Sequence, residues 1–232
     1  MSGKLILVPT PIDDEGSLNP DHIEVLRDAF ERKDLIVVEE HKAARRRWLR
    51  WGLAREAIDE FILYNEHERD IDKINNLISE LKSGKNLYLM SDGGMPAFCD
   101  PGKRLVERCH QSNIRVSSLE FSNSIILSVA LSGFRHDEFF FQGFLPRKQE
   151  ARQECLKKVS HLKEMVILMD TPYRLKKLLS ELSHIAPSRE IFIGCDLNTP
   201  NELCIRGKIV KITKILGESK REFVLILAPS KT

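Results

Sequence analysis

The sequence predicts an α/β protein in two lobes, a mostly parallel N-terminal sheet with helices on both faces followed by a mixed C-terminal sheet. Three observations carry this. Short apolar runs alternate with amphipathic helical stretches through the first half, as in a parallel sheet wrapped by helices. In the second half the strand signals crowd together towards the C-terminus, which implies antiparallel members. The apolar run Leu87-Tyr88-Leu89-Met90 opens directly into a loop with three glycines, the last of them Gly102. Such strand-loop-helix connections lie where open α/β sheets bind ligands.

In chain order, residues 5–8 read as a strand and 20–32 as a helix with Ile23, Leu26 and Phe30 on one face. A strand at 35–38, a basic helix at 43–51 and a strand at 58–64 follow. Residues 70–82 carry Ile71, Ile74, Leu77, Ile78 and Leu81 at helical spacing. The strand 87–90, a helix at 103–111 and a strand at 114–119 close this half. The second half begins with a helix at 124–132, ended by Gly133, and a strand at 138–141. Helix 148–162, strand 165–169 and helix 172–185 come next. Strands at 190–193, 203–206 and 222–228, with a short helix at 209–215, finish the chain. The break falls near Glu120 to Ser122, giving domains 1–120 and 121–232 that flank one cleft, where small-molecule sites prefer to form.

Composition narrows the partners. Lys+Arg of 36 against Asp+Glu of 34 gives a net charge of +2, so any nucleic-acid contact must come from a local patch. At 232 residues the chain can bury a sizeable core. No apolar run approaches a membrane span, and the N-terminus lacks a signal-peptide pattern. The five cysteines (Cys99, Cys109, Cys155, Cys195, Cys204) are scattered, odd in number and without a C-x-x-C pair. Such usage suggests reduced thiols in the cytoplasm and argues against a zinc or other metal site.

The loop Ser91-Asp92-Gly93-Gly94-Met95-Pro96-Ala97-Phe98-Cys99-Asp100-Pro101-Gly102 is the most informative stretch. Gly93 and Gly94 let backbone approach a ligand, and Asp92 and Asp100 can accept hydrogen bonds from ribose, ammonium or amide groups. Asp100-Pro101 also reads well as a helix start, with Asp100 as N-cap and Pro101 in the first helical position. That reading leaves Asp92-Gly93-Gly94 unexplained. The segment resembles the D-A-G-T-P-x-x-x-D-P-G signature of the tetrapyrrole-methylase superfamily, with Gly93 for Ala and Met95 for Thr. Within that superfamily it is most similar to the small-subunit ribosomal RNA 2′-O-methyltransferase I branch. Other segments match in order. Leu5-Ile6-Leu7-Val8-Pro9-Thr10-Pro11-Ile12 is similar to the opening strand and loop, Glu39-Glu40-His41-Lys42 stands at A-E-D-T, and Tyr64-Asn65-Glu66 at H-N-E. Gln142-Gly143-Phe144-Leu145-Pro146-Arg147-Lys148 is similar to E-G-F-L-P-x-K, and Asp170-Thr171-Pro172-Tyr173-Arg174-Leu175 to E-S-P-H-R-L. Arg221-Glu222-Phe223-Val224-Leu225-Ile226 is similar to the closing G-E-M-V-L-I strand.

The resemblance implies S-adenosylmethionine as methyl donor, S-adenosylhomocysteine as product, and a homodimer. It places the cofactor in the cleft between the lobes, against Pro11, Ser91, Asp92, Gly93, Gly94, Met95 and Phe98. On the C-terminal side it implies Ser122, Asn123 and Ser124, then Phe144, Leu145, Leu197, Glu222 and Phe223. Phe144 and Leu145 have an independent rationale, since adenine needs a flat apolar slot, but the pair reads as well as ordinary core. No G-x-G-x-x-G of a Rossmann methyltransferase is present. A ribose hydroxyl is a poor nucleophile, so a nearby base would help. Matched positions offer Glu40, Asn65, Glu66 and Asp100, with Glu40 first because it ends a strand.

Two segments depart from the family pattern. Where the family reads P-T-P-I-G-N-L-x-D, Ile12 is followed here by Asp13-Asp14-Glu15-Gly16-Ser17-Leu18. Where it reads P-G-P-C-A, this chain has Glu120-Phe121-Ser122-Asn123-Ser124, whose polar groups suit either the methionine carboxylate or a helix cap.

The run Arg45-Arg46-Arg47-Trp48-Leu49-Arg50-Trp51 is the best nucleic-acid signal. Arginines contact phosphates and tryptophans stack on splayed bases. Tryptophans three apart on a helix equally well pack inward. Arg147 and Lys148 extend the basic surface. The sequence therefore reads as a cytoplasmic S-adenosylmethionine-dependent methyltransferase acting on a ribose 2′-oxygen of ribosomal RNA, without membrane association. The alternatives are a small tetrapyrrole-like or protein side-chain acceptor, and a catalytically silent RNA-binding scaffold.

Overall fold

The computed structural model describes residues 2–13, 15–65, 71–121 and 123–230. They divide into two compact units, Met1–Phe121 and Ser122–Thr232. The first holds β1 (Lys4–Val8), α1 (Pro20–Glu31), β2 (Leu35–Val38), α2 (His41–Arg50), a 3-10 helix (Arg55–Glu60), β3 (Ile62–Leu63), α3 (Ile71–Lys82), β4 (Leu87–Met90), α4 (Lys103–Gln111) and β5 (Arg115–Ser118). Its sheet has the order β3-β2-β4-β1-β5, and every pair is parallel. Strands covered on both faces must be apolar throughout, which is why β1 and β4 read as unbroken runs. One core lies under Trp48, Tyr88 and Met90, the other under Leu5, Leu81 and Leu105. Because all five strands run one way, the segments after β1, β2, β3 and β4 emerge at a single edge.

The second unit holds α5 (Ser124–Ser132), β6 (Phe139–Phe144), α6 (Gln149–Ser160), β7 (Met165–Met169), a 3-10 turn (Pro172–Arg174), α7 (Leu175–Ile185), β8 (Glu190–Cys195), β9 (Leu203–Lys208), α8 (Ile209–Leu216) and β10 (Phe223–Leu227). The order is β6-β7-β10-β8-β9, with β6 and β7 parallel and the remaining pairs antiparallel. The mixed sheet expected from the crowded strand signals is therefore present. The buried Arg189 guanidinium donates to the carbonyls of Val159, Ser160, Leu162, Glu164 and Ala228, tying α6, β7 and the end of β10 together.

Three local expectations are corrected. Residues 58–64 do not form one strand; only Ile62–Leu63 joins β2. Ile58 and Phe61 lie three apart, the spacing of a 3-10 turn, and Phe61 packs edge-on against Trp48 with ring centroids 5.1 Å apart. The helix expected over 172–185 divides into the 3-10 turn and α7. Asp100 does not cap α4, which starts two residues later on Gly102, with a φ of 130° and no side-chain cap.

Candidate functional site

Since β1 and β4 are neighbours, the loops that follow them meet. Thr10 N–H donates to Gly94 O and Gly94 N–H to Thr10 O, both at 2.9 Å. The Thr10 hydroxyl donates to Ser91 O at 3.1 Å. Gly94 takes a φ of 99°, and Ala97 and Cys99 sit in the left-handed region at 66° and 63°. Such residues cost about 1–3 kcal/mol each and persist only where their surroundings hold them. Here Ala97 N–H bonds Pro101 O and Phe98 N–H bonds Met95 O. Phe98, between the two strained residues, is left 42% exposed. Gly93 meets Ile12 Cα and Pro11 O at 3.4 Å from where a Cβ would be, which is ordinary contact.

The carboxylates gather on this edge. Glu39, at the end of β2, accepts the Asp92 N–H on Oε2 at 3.1 Å. Burial, followed by the charges of Glu39 and Glu40, pushes the Asp92 carboxyl up to about 6, against the Glu40 N–H and Arg47. Asp100 is also pushed up to about 6, chiefly by burial and further by Glu39, against the Ser91 hydroxyl beside it. Glu40, the first expectation for a base, instead caps α2 by accepting Ala43 N–H at 3.3 Å. Asn65 Oδ1 is buried without a hydrogen-bond partner among the described residues. Glu66 lies outside the described residues. Glu39 was not among the residues expected from sequence, because its position matches Ala in the family pattern. Its place at the carboxyl end of β2, beside β4, was the available signal.

The basic helix divides by face. Ala44, Arg47, Trp48 and Trp51 fall on one stripe and are buried. Trp48, 1% exposed, donates Nε1 to Ala54 O, and Trp51 donates to Gly16 O. Arg47, 3% exposed, donates Nη1 to Pro11 O at 2.6 Å. The tryptophans as base-stacking groups and Arg47 as a phosphate contact are thus corrected: all three are core. Arg45, Arg46 and Arg50 remain exposed, and Arg50 pairs with Glu15 at 2.8 Å. The acidic departure after Ile12 is thereby pinned to α2 at Pro11, Glu15 and Gly16.

In the second unit, Asn123 caps α5, accepting from Ile125 N–H and Ile126 N–H at 2.8 and 3.3 Å, and Ser124 opens that helix. Ser122 lies outside the described residues. A bulge between Phe141 and Gly143 shifts the register of β6, whose last residue Phe144 is half-exposed while Leu145 joins the core. Leu197 packs over Gly194, within a turn where Asp196 and Asn198 both have positive φ. Asp196 N–H donates to Glu222 O at 2.9 Å and Glu222 N–H to Asp196 Oδ1 at 3.2 Å, next to the buried Phe223. Burial and Asp196 push the Glu222 carboxyl up. Arg147 and Lys148 are exposed ahead of α6. Among the described residues no His, Cys, Asp or Glu group could hold a metal ion, and no helix is long and apolar enough to cross a membrane.

Residues 4–213 match the family model described as Tetrapyrrole (Corrin/Porphyrin) Methylases. The chain is 30% identical over 229 residues to a ribosomal RNA small subunit methyltransferase I of Synechocystis sp., covering 97% of this chain and 79% of that protein. The protein of the same name from Thermotoga maritima is 31% identical over 207 residues, covering 89% of each. Among solved structures, a diphthine synthase superposes with a TM-score of 0.66 at 14% identity, covering 98% of this chain and 90% of that one. Uroporphyrin-III C-methyl transferase from Thermus thermophilus, complexed with S-adenyl homocysteine, superposes with a TM-score of 0.57 at 15% identity, covering 97% of each.

Proposed function

The chain belongs to the tetrapyrrole (corrin/porphyrin) methylase family, and on that premise we propose that it is an S-adenosylmethionine-dependent methyltransferase of ribosomal RNA, acting on a ribose 2′-oxygen. The observation that carries this reading is the likeness, over nearly the whole chain, to relatives named ribosomal RNA small subunit methyltransferase I. The diphthine synthase and uroporphyrin-III methyltransferase likenesses speak for the fold alone and do not favour a protein or tetrapyrrole acceptor.

The residues of the loop edge fit the cofactor. Asn65 Oδ1 is buried with no hydrogen-bond partner among the described residues, as expected of a group that awaits a ligand, and the buried Ser91 hydroxyl lies beside Asp100. A Cβ on Gly94 would stand 3.6 Å from Asp100 Oδ2, so the glycine keeps the space before that carboxylate open. In this reading Pro11, Ser91, Asp92, Gly93, Gly94, Met95 and Phe98 hold the cofactor from the first unit. Within the second unit, Asn123, Ser124, Phe144, Leu145, Leu197, Glu222 and Phe223 are proposed as cofactor residues on the family resemblance alone. When bound, the cofactor supplies an electrophilic methyl group. The chain supplies alignment, and carboxylates whose charge suits a sulfonium and an ammonium. Of the candidate bases, Asp100 is free of the capping contact that occupies Glu40, and it becomes our proposed proton acceptor. Ribosomal RNA as substrate places the enzyme in the cytoplasm, and a homodimer belongs to the same reading; light scattering of the purified protein tests the latter.

Two expected results follow. Below about pH 6 both Asp92 and Asp100 become neutral, so donor affinity and methyl transfer should fall as pH drops through that value. Their raised pKa values mean that the folded state binds more protons than the unfolded chain between about pH 4 and 6, so both carboxylates reduce stability as pH rises through that window. Asp100→Asn should therefore raise the melting temperature at pH 7.5 while impairing transfer to small ribosomal subunits. Unchanged transfer would remove Asp100 from the mechanism. Second, Arg45→Ala and Arg46→Ala should each lower the salt slope of RNA binding by about 0.7, the single-strand value per phosphate contact. A double variant with the wild-type slope would remove α2 from the RNA surface.

A further inference from the structure

We infer that one edge of the C-terminal sheet is a surface for single-stranded RNA, with Tyr173 as its stacking platform and Lys220, Arg174, Lys176, Arg147 and Lys148 as its phosphate contacts. The inference rests on the reading of the substrate as RNA and adds a second surface within that reading. Topology assembles the edge. Strands β6 and β7 are parallel and end here, and β10, antiparallel to β7, begins here, with Phe144 opposite Met169 and Met169 opposite Val224. Segments 147–149, 172–177 and 218–221 therefore leave the sheet side by side.

Side-chain contacts join them. Lys177 Nζ donates to Gln149 Oε1 at 2.5 Å, Lys176 pairs with Glu218, and Lys220 Nζ lies 5.0 Å from the Tyr173 ring centroid. These segments hold seven cations and one carboxylate, Glu218, in a chain whose net charge is +2. Glu150 and Glu222 flank them. Of the three tyrosines, Tyr64 and Tyr88 are buried, whereas Tyr173 is 78% exposed.

The turn that presents Tyr173 is braced from beneath. Buried Arg152 donates Nη1 to Asp170 Oδ2 at 2.5 Å and Nε to Glu181 Oε2 at 2.7 Å. Asp170 Oδ1 accepts Thr171 N–H at 2.9 Å, and Pro172 then starts the 3-10 turn. A rigidly held, exposed ring beside an ammonium group suits an unpaired base next to its phosphate. Stacking plus a cationic track is how proteins hold single strands without reading sequence. A ligand bound through phosphate alone would have no use for the ring.

The test is fluorescence anisotropy with a labelled oligouridylate of about 12 nucleotides, alongside a blunt RNA duplex of similar length. Wild-type protein should prefer the single strand. Tyr173→Ala should weaken it by about 5- to 100-fold, and Tyr173→Phe should keep most of the affinity. Lys220→Ala should lower the salt slope by about 0.7. S-adenosylhomocysteine binding, measured by calorimetry, should be unchanged in all three variants. Wild-type affinity and slope in both Tyr173→Ala and Lys220→Ala would overturn this surface while leaving the RNA substrate in place. A wild-type protein that binds neither probe would overturn both.

Discussion

Arg152→Met is expected to destabilise the C-terminal unit by about 3–5 kcal/mol, the usual cost of removing one partner from a buried ion pair. Arg152 is 1% exposed, and Asp170 is buried beside it. Methionine fills most of the volume left by the guanidinium stem but leaves Asp170 and Glu181 with only their longer ion pairs, to Arg174 at 3.8 Å and Lys177 at 3.9 Å. A triple variant carrying Asp170→Leu and Glu181→Leu as well should recover much of the loss, because no buried charge is then left behind. Urea unfolding of the full chain, followed by tryptophan fluorescence and circular dichroism together, separates the two units, since Trp48 and Trp51 both lie in the first. A circular-dichroism transition unmoved by Arg152→Met would show that these charges carry little of the fold.

Gly94→Val is expected to reduce methyl transfer on the order of a hundredfold or more while leaving the chain folded, since small misplacements of a reacting group cost that much. Gly94 is held by two hydrogen bonds to Thr10 at a φ of 99°, a conformation that a β-branched residue resists. Its added side chain would also enter the space before Asp100. Gly93→Ala is the control. Its Cβ would meet Ile12 and Pro11 at 3.4 Å, a distance proteins accept, so its effect should be much smaller. Equal losses in both variants would indicate a disturbed loop rather than a lost ligand space.

Much of this was legible in the sequence. The buried strands stand out because both faces are covered, and α4 and α5 end where Gln111 and Ser132 predict. What was not legible depends on partners far away in the chain. Arg47 reads as one of four surface arginines until the inward stripe of α2 is known, and its guanidinium then meets Pro11, 36 residues earlier. Glu39 has no assigned role in the sequence, and only the pairing of β2 with β4 brings its carboxylate to Asp92. Asp100-Pro101 has the local chemistry of a helix start, yet the left-handed residues Ala97 and Cys99 turn the chain so that α4 begins later. In the first two cases a long-range contact decides the side chain's place; in the third the backbone of the loop itself outweighs the local preference for a helix start.

The most direct test of the cofactor at the glycine loop is calorimetric titration of S-adenosylhomocysteine into the wild-type protein, Gly94→Val and Asp92→Ala, all at pH 7.5. Saturable one-site binding to wild type, lost or severely weakened in both folded variants, is the predicted result. Well-folded wild-type protein that takes up no S-adenosylhomocysteine would contradict the methyltransferase reading and favour a silent scaffold of the same fold.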